Sequence, residues 1–297
     1  MPPPVATAPA QTRWTLPAIG AACPWPAPPS PSGCWRMLTA LGFGRRRARA
    51  HIHSPDPHYA AKVAAIAAIR ADAVRAWQQG DERLVVVYVD EATLYRQPTL
   101  ADAWWPDTPL ARSTAQPLQP LARRSHRSDT PAVRLMAALE PTTGRVVARR
   151  SRRLQVADLV AFWANLAAAY PRAKRLVVIL DNWPMHVHPD SLVALQPQTG
   201  RWVPRRPPSW GAAPHAPAVR RWGDWELPIE LVWLPTYAPW LNPVEKLWRG
   251  LRQTVGHLHP FANDLPGLGL ACDAWLGQYA QGSVPLLRAV GLGGPPR

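Results

Sequence analysis

The stretch Leu84-Val85-Val86-Val87-Tyr88-Val89-Asp90 decides the fold. It is a continuous apolar and largely β-branched run, so both of its faces need cover. Such a strand belongs at the centre of a covered sheet and not at its edge. The run stops on an acid. A second run, Leu176-Val177-Val178-Ile179-Leu180, has the same character and also stops on an aspartate, Asp181. Strand ends are where α/β folds place their chemistry. If the two strands are parallel neighbours, their C-terminal ends open on one edge and the two carboxylates converge. Burying bare carboxylates together is costly. Divalent cations relieve that cost and give it a purpose.

Working outward, an Ala-rich helix is expected over 57–79, ended by Gly80. Further strands are expected near 133–139 and 145–150, joined through a hairpin-type turn at 141–144. Residues 156–170 form an amphipathic pattern with Leu159, Trp163, Leu166 and Tyr170 on one face. A strand over 229–234 leads through a Pro-rich turn into a helix over about 243–255, and a last helix is expected near 270–281. This order describes an α/β fold, a mixed, partly antiparallel sheet flanked by helices. Residues 196–226, rich in Pro, Trp and Arg, stand apart as an aperiodic insertion. A stretch of that length inside a compact domain is usually functional. It carries Arg201, Arg205 and Arg206 beside Trp202 and Trp210, which suits an arm over a nucleic-acid groove or against a second subunit.

A third acid, Glu245, opens the helix after the last strand. Asn242-Pro243 supplies an N-cap followed by proline at the first helical position. Val244, Leu247, Leu251 and Val255 make one apolar stripe. Glu245, Arg249 and Arg252 fall beside it, at the border with solvent. Taken singly, an aspartate after a strand is usually a turn residue, and a glutamate in a first helical turn serves the helix dipole. Three such acids on these elements, in a basic chain, favour a site. Glu91 adjoins Asp90 but faces the opposite side of its strand, so it is expected to be structural.

The chain has 34 basic and 19 acidic residues, a net charge of +15, which favours nucleic acid as partner. Only Lys62, Lys174 and Lys246 are lysines. No apolar run is long enough to span a bilayer, and no basic-then-apolar leader is present, so a cytoplasmic protein is expected. Cys23, Cys34 and Cys272 fall in no paired or metal-like spacing and are expected to be reduced packing residues. Residues 1–50 are Pro-rich, with short helices expected over 15–23 and 32–41, the second stopped by Gly42. They read as a partial helix-turn-helix with a basic linker, or equally as a disordered basic leader interrupted by Pro28 and Pro29. Residues 51–297 hold the catalytic part. Candidate phosphate contacts are Arg45, Arg46, Arg47 and Arg49 in the linker, Arg249 and Arg252 on the helix, and the run Arg149-Arg150-x-Arg152-Arg153. The pairs His186-x-His188 and His257-x-His259 lack Cys or carboxylates at ligand spacing, which argues against zinc.

Three blocks carry a resemblance: Tyr88-Val89-Asp90-Glu91, then Asp181-Asn182-Trp183-Pro184-Met185-His186, then Tyr237-Ala238-Pro239-Trp240-Leu241-Asn242-Pro243-Val244-Glu245. They resemble the catalytic blocks of bacterial insertion-sequence transposases of the mariner superfamily. The resemblance implies a ribonuclease H-like fold, an Asp-Asp-Glu triad of Asp90, Asp181 and Glu245, and Mg²⁺ or Mn²⁺. It further implies cleavage at transposon ends and strand transfer into target DNA. Two departures stand out. Sixty-three residues separate Asp181 from Glu245, roughly twice the usual number, and the surplus matches 196–226. The region before Arg45 also has room for at most one DNA-binding subdomain.

Two divalent ions roughly 3.5–4 Å apart would align the attacking and leaving oxygens and neutralise the phosphate between them. Magnesium suits an all-oxygen ligand set. Asn182 is expected to cap its turn or to orient a carboxylate. The expected partners are double-stranded DNA and a second copy of the chain as a homodimer, with the nucleoid as the place of work. The alternative is a catalytically idle transposon remnant that only binds DNA.

Overall fold

The computed structural model describes residues 15–22, 30–45, 53–103, 120–127, 129, 131–186, 188, 191, 195 and 229–293. Arg46, Arg47, Arg49, Cys23 and the insertion 196–226 lie outside them. The chain divides into two compact units, residues 1–52 and 53–297. The first contains α1 (Leu16–Ala22) and α2 (Pro31–Ala40). Ser30 caps α2 by accepting from the Gly33 N–H at 3.1 Å, and Cys34 is its buried residue. Gly42, at φ 80°, ends the helix by turning the chain so that the Phe43 N–H reaches the Leu38 carbonyl at 2.8 Å.

The second unit opens with α3 (Tyr59–Gln78). It then builds one five-stranded sheet from β1 (Leu84–Tyr95), β2 (Ala132–Leu139), β3 (Val146–Ser151), β4 (Arg175–Leu180) and β5 (Ile229–Trp233). The order is β3-β2-β1-β4-β5; β1, β4 and β5 pair in parallel, and β2 alone runs against the others, antiparallel to both β1 and β3. The two unbroken apolar runs are therefore central parallel neighbours. Val85, Val87 and Val89 pack on one face against α4 (Val156–Ala169), through Leu159, Phe162, Trp163 and Leu166. Val86, Tyr88, Ala92 and Leu94 pack on the other face. There they meet α3, α5 (Val244–Leu251), α6 (Leu265–Gly277) and α7 (Val284–Val290). Two-sided burial explains why these strands read as continuous runs instead of alternating ones.

Two expected boundaries are corrected. β1 does not stop at Asp90 but runs on to Tyr95. The antiparallel partner β2 remains beside it, with Asp90 opposite Ala137 and Tyr95 opposite Ala132, so the backbone stays paired after β4 has ended. The C-terminal helix expected near 270–281 lies earlier, at Leu265–Gly277, and a second helix that was not expected, Val284–Val290, follows it. Asp264 caps α6 by accepting from the Gly267 N–H at 2.8 Å, and Ser283 caps α7 by accepting from the Leu286 N–H at 3.2 Å. Pro266 and Pro285 follow within two residues of the caps, a start signal carried twice in the sequence. The turn after β2 requires glycine at 144. Its φ is 74°, and a Cβ there would lie 2.3 Å from the Ser283 carbonyl oxygen.

The segment before α3 is tied to the loop after β5. The buried Asp56 carboxylate accepts from the Thr236 N–H at 3.0 Å, the His58 N–H at 2.9 Å and Lys62 Nζ at 2.6 Å. Ser54 Oγ donates to the Thr236 carbonyl at 2.6 Å. These bonds, led by the one from Lys62, hold the Asp56 carboxyl down at about 2. A carboxyl lowered on folding adds stability above the ordinary value of 3.8 and loses it as pH falls toward 2. Asp56→Ala is expected to destabilise the protein by about 1–3 kcal/mol at neutral pH, because the donors facing it lose their acceptor. The deficit should shrink below pH 4. Urea melts at pH 7 and pH 3 check it; an equal deficit at both would remove the charge from the explanation.

Candidate active site

The β1–β4 register sets Leu84 opposite Arg175 and Tyr88 opposite Ile179, a constant offset of 91 positions. Carried two residues past Tyr88, it brings Asp90 level with Asp181, just beyond the end of β4. At that point β1 is paired only on its β2 side. The sheet opens at a notch with Asp90 on one wall and Asp181 on the other.

Glu245 reaches the same rim through its helix. Asn242 is 3 % exposed; its Nδ2 donates to the Val89 carbonyl at 3.0 Å, and its Oδ1 accepts from the Val244 N–H at 3.2 Å. One side chain thus caps α5 and fixes its start against the residue preceding Asp90. Val244, Leu247 and Leu251 are buried beneath the helix, as the stripe predicts, and Trp248 is buried with them. Past Leu251 the helix widens into a π turn over Arg252–Gly256, and Arg249 and Arg252 stand exposed. Trp248, buried in the core, has a second task. Its Nε1 donates to Asp90 Oδ2 at 2.9 Å and fixes one carboxylate oxygen.

The electrostatics couple the acids. Burial first, then the charges of Glu245, Glu91 and Asp181, push the Asp90 carboxyl up to about 8. These acids therefore act on one another's charge, although Asp90, Asp181 and Glu245 do not form a group with ligand atoms within 4.8 Å among the described residues. A half-buried carboxyl under the charge of three more carboxylates is a place for cations. Asp90, Asp181 and Glu245 offer only hard oxygen donors, so the set fits Mg²⁺ or Mn²⁺.

Glu91 is not the bystander its strand position implies. It does face away from Asp90, but His186 is folded in beside it. His186 is 1 % exposed; its Nε2 lies 2.9 Å from Glu91 Oε1 and its Nδ1 lies 3.2 Å from Asp181 Oδ1. Burial alone would lower the imidazole; hydrogen bonds to Asp181 and Glu91 overcome this and raise it to about 10. His186 is thus a cation clamped between two carboxylates. Asp181 feels burial most, yet the His186 bond and charge and the Trp183 N–H hold it below its ordinary value. Among the described residues, the group of possible ligands whose donor atoms close to within 4.8 Å is Glu91, Asp181 and His186. Asp90 and Glu245 do not join that group, and the Asp181 carboxylate lies beside the histidine. No carboxylate stands at ligand spacing to His186-x-His188 in the sequence, but Glu91, 95 positions away, lies beside His186 in space. His257 and His259 join no such group among the described residues; His257 Nδ1 meets Thr99 Oγ1 at 2.6 Å.

Asn182 neither caps its own turn nor touches Asp181 through its amide. Its Nδ2 donates to the Leu234 carbonyl at 2.8 Å, joining the ends of β4 and β5. Among the expected phosphate contacts, Arg150 is engaged by Asp273 at 2.9 Å. Arg45, Arg152 and Arg153 are exposed.

Residues 85–265 match the family described as DDE superfamily endonuclease, more than half of the chain and all three acids. The chain belongs to this family. This DDE endonuclease is also 25 % identical over 228 residues to the insertion element IS630 uncharacterized 39 kDa protein of Shigella sonnei, covering 75 % of this chain. The chain spans about half the length of that curated relative, 52 %. In fold it resembles the Mos1 transposase in a paired-end complex with the left transposon end. The TM-score is 0.51 at 13 % identity, over 89 % of this chain and 67 % of that one. A Mos1 mariner paired-end complex with Mn gives 0.50 at 14 % identity, over 89 % and 68 %. The five-stranded mixed sheet flanked by helices is the ribonuclease H-like core that the resemblance implied.

Proposed function

We propose that this DDE endonuclease is a transposase that cuts DNA at the ends of a mobile element and joins the freed 3′ ends to target DNA, with Asp90, Asp181 and Glu245 as metal ligands. The observation that supports it most is the register that brings Asp90 level with Asp181, with Glu245 on a helix that Asn242 fastens to Val89. Divalent metal bound to these carboxylates would supply Lewis-acid activation of the phosphate and of the attacking oxygen. The protein's own share is to hold the acids on a rigid rim. Trp248 fixes Asp90, His186 fixes Asp181, and the Asn242 cap fixes Glu245. The exposed Arg249 and Arg252 on α5 and the turn after it offer phosphate contacts, and the net charge of +15 draws DNA toward the rim. A second copy of the chain is the partner expected for handling two ends together, acting on cytoplasmic, nucleoid DNA.

Purified protein is expected to nick duplex DNA only when Mg²⁺ or Mn²⁺ is present. Asp181→Asn should reduce nicking at least about a thousandfold, because the charge that holds the metal is lost while shape is kept. Salt-dependent DNA binding should stay within a few-fold. Equal nicking by both proteins would place the activity in another site and overturn the assignment.

A further inference from the structure

Tyr237 combines two features that ordinarily exclude each other. Its backbone is left-handed, at φ 54°, where a bulky residue is strained, and its ring is 74 % exposed. Nothing in the core rewards that strain, because the residue beside it, Ala238, is the one that is buried. Three residues on, Trp240 is 47 % exposed, with its Nε1 donating to the Tyr59 hydroxyl at 3.2 Å. An isolated strained residue invites a functional reading when its surroundings over-determine it. Here they do. Thr236 is held on both backbone groups by Asp56 and Ser54, and the Leu241 N–H closes a turn on the Ala238 carbonyl at 3.1 Å.

The position of this loop is fixed as firmly as its shape. Its first residue, Leu234, is bonded through its carbonyl to Asn182, the neighbour of Asp181. Its last, Asn242, is bonded to Val89, the neighbour of Asp90. The loop is thus strapped at either end to the residues adjoining the two aspartates, and it carries two exposed aromatic rings between those anchors.

We infer that Tyr237 and Trp240 form a stacking platform for an unpaired nucleobase of the DNA strand held at the acidic notch. The inference rests on the proposed DNA-cutting function. A phosphodiester at the bottom of a notch is easier to reach when the adjoining base leaves its stack, and an aromatic ring on a rigid loop offers that base a replacement surface. Such stacking tolerates any base identity, since every base presents a π face.

The test uses the full chain and two oligonucleotides of one sequence, a blunt duplex and a duplex with a three-nucleotide single-stranded overhang carrying 2-aminopurine. Binding and fluorescence are read in Ca²⁺, and nicking is read separately in Mg²⁺. Wild type and Tyr237→Phe are expected to prefer the overhang by roughly tenfold or more and to quench 2-aminopurine. Tyr237→Ala should lose most of the preference and the quenching. Tyr237→Gly should lose them too while its Tm stays equal or rises, since glycine accepts φ 54° without strain. That pair separates the ring from the backbone. Retained preference and quenching in Tyr237→Gly, or none in a wild type that nicks with Mg²⁺, overturns the platform alone. Quenching by wild type without metal-dependent nicking overturns the cutting function and leaves the platform. A wild type that binds neither oligonucleotide overturns both.

Discussion

Asp90→Asn is expected to abolish metal-dependent nicking and, in the same protein, to raise the thermal midpoint measured without metal. Asp90 is half-buried with its carboxyl at about 8, far above the ordinary 3.8. The sign follows from proton counting. Between those values the folded chain holds a proton that the unfolded chain has released, so stability falls as pH rises from about 4 to about 8. At pH 7 the burden is about 2–4 kcal/mol, since each tenfold change in proton affinity is worth about 1.4 kcal/mol. Asparagine removes the charge but keeps an oxygen to accept from Trp248 Nε1. The net gain should be about 1–3 kcal/mol at pH 7, reduced from the full burden because the amide is itself costly to bury. It should nearly vanish at pH 4. Functional sites commonly carry this trade of stability for activity. Thermal melts in EDTA at pH 4 and pH 7 decide the matter. A variant that melts lower than wild type at pH 7 would mean that Asp90 is not under electrostatic strain, and the cation site would lose its main physical support.

The strain on Asp90 also explains what was legible in the sequence. Unbroken runs of β-branched residues ending on acids are rare enough to mark both the sheet centre and the two aspartates. The Asn242-Pro243 start is equally local, because a cap and the proline after it act within one turn. The far end of β1 was not legible, since whether a strand continues past Asp90 depends on β2, over 40 positions away, still pairing with it. The two C-terminal helices were legible in principle. Asp264-Leu265-Pro266 and Ser283-Val284-Pro285 repeat one start signal, which apolar periodicity by itself does not register. Trp248 and Glu91 illustrate the harder limit. The first is a core residue and the second faces the wrong side. Their contacts with Asp90 and His186 come from elements 158 and 95 positions apart. Pairwise alternation along one strand cannot foresee a histidine folded in from another segment.

That histidine is the basis of the second large effect. His186→Ala is expected to cost about 3–5 kcal/mol of stability at pH 7, because Glu91, with a side chain only 11 % exposed, is left as a buried charge without its partner. The pH dependence runs opposite to that of a depressed carboxylate. A histidine raised from 6.5 to about 10 contributes in full below pH 6.5 and loses its contribution as pH climbs through 10. The deficit of His186→Ala should therefore be large at pH 6.5 and small near pH 10. Glu91→Gln in the same background should recover part of it, since a neutral amide needs no cation, and the double-mutant cycle reads the coupling directly. Function should follow position more than stability. With His186 gone, Asp181 loses the group that turns it, and metal affinity or nicking should fall about 10- to 100-fold, the usual penalty for removing the support of a metal ligand. Glu91→Gln/His186→Ala should remain at that lower activity although its stability is partly restored. Recovery of both together would reduce His186 to a packing residue and leave Asp181 to find its own geometry.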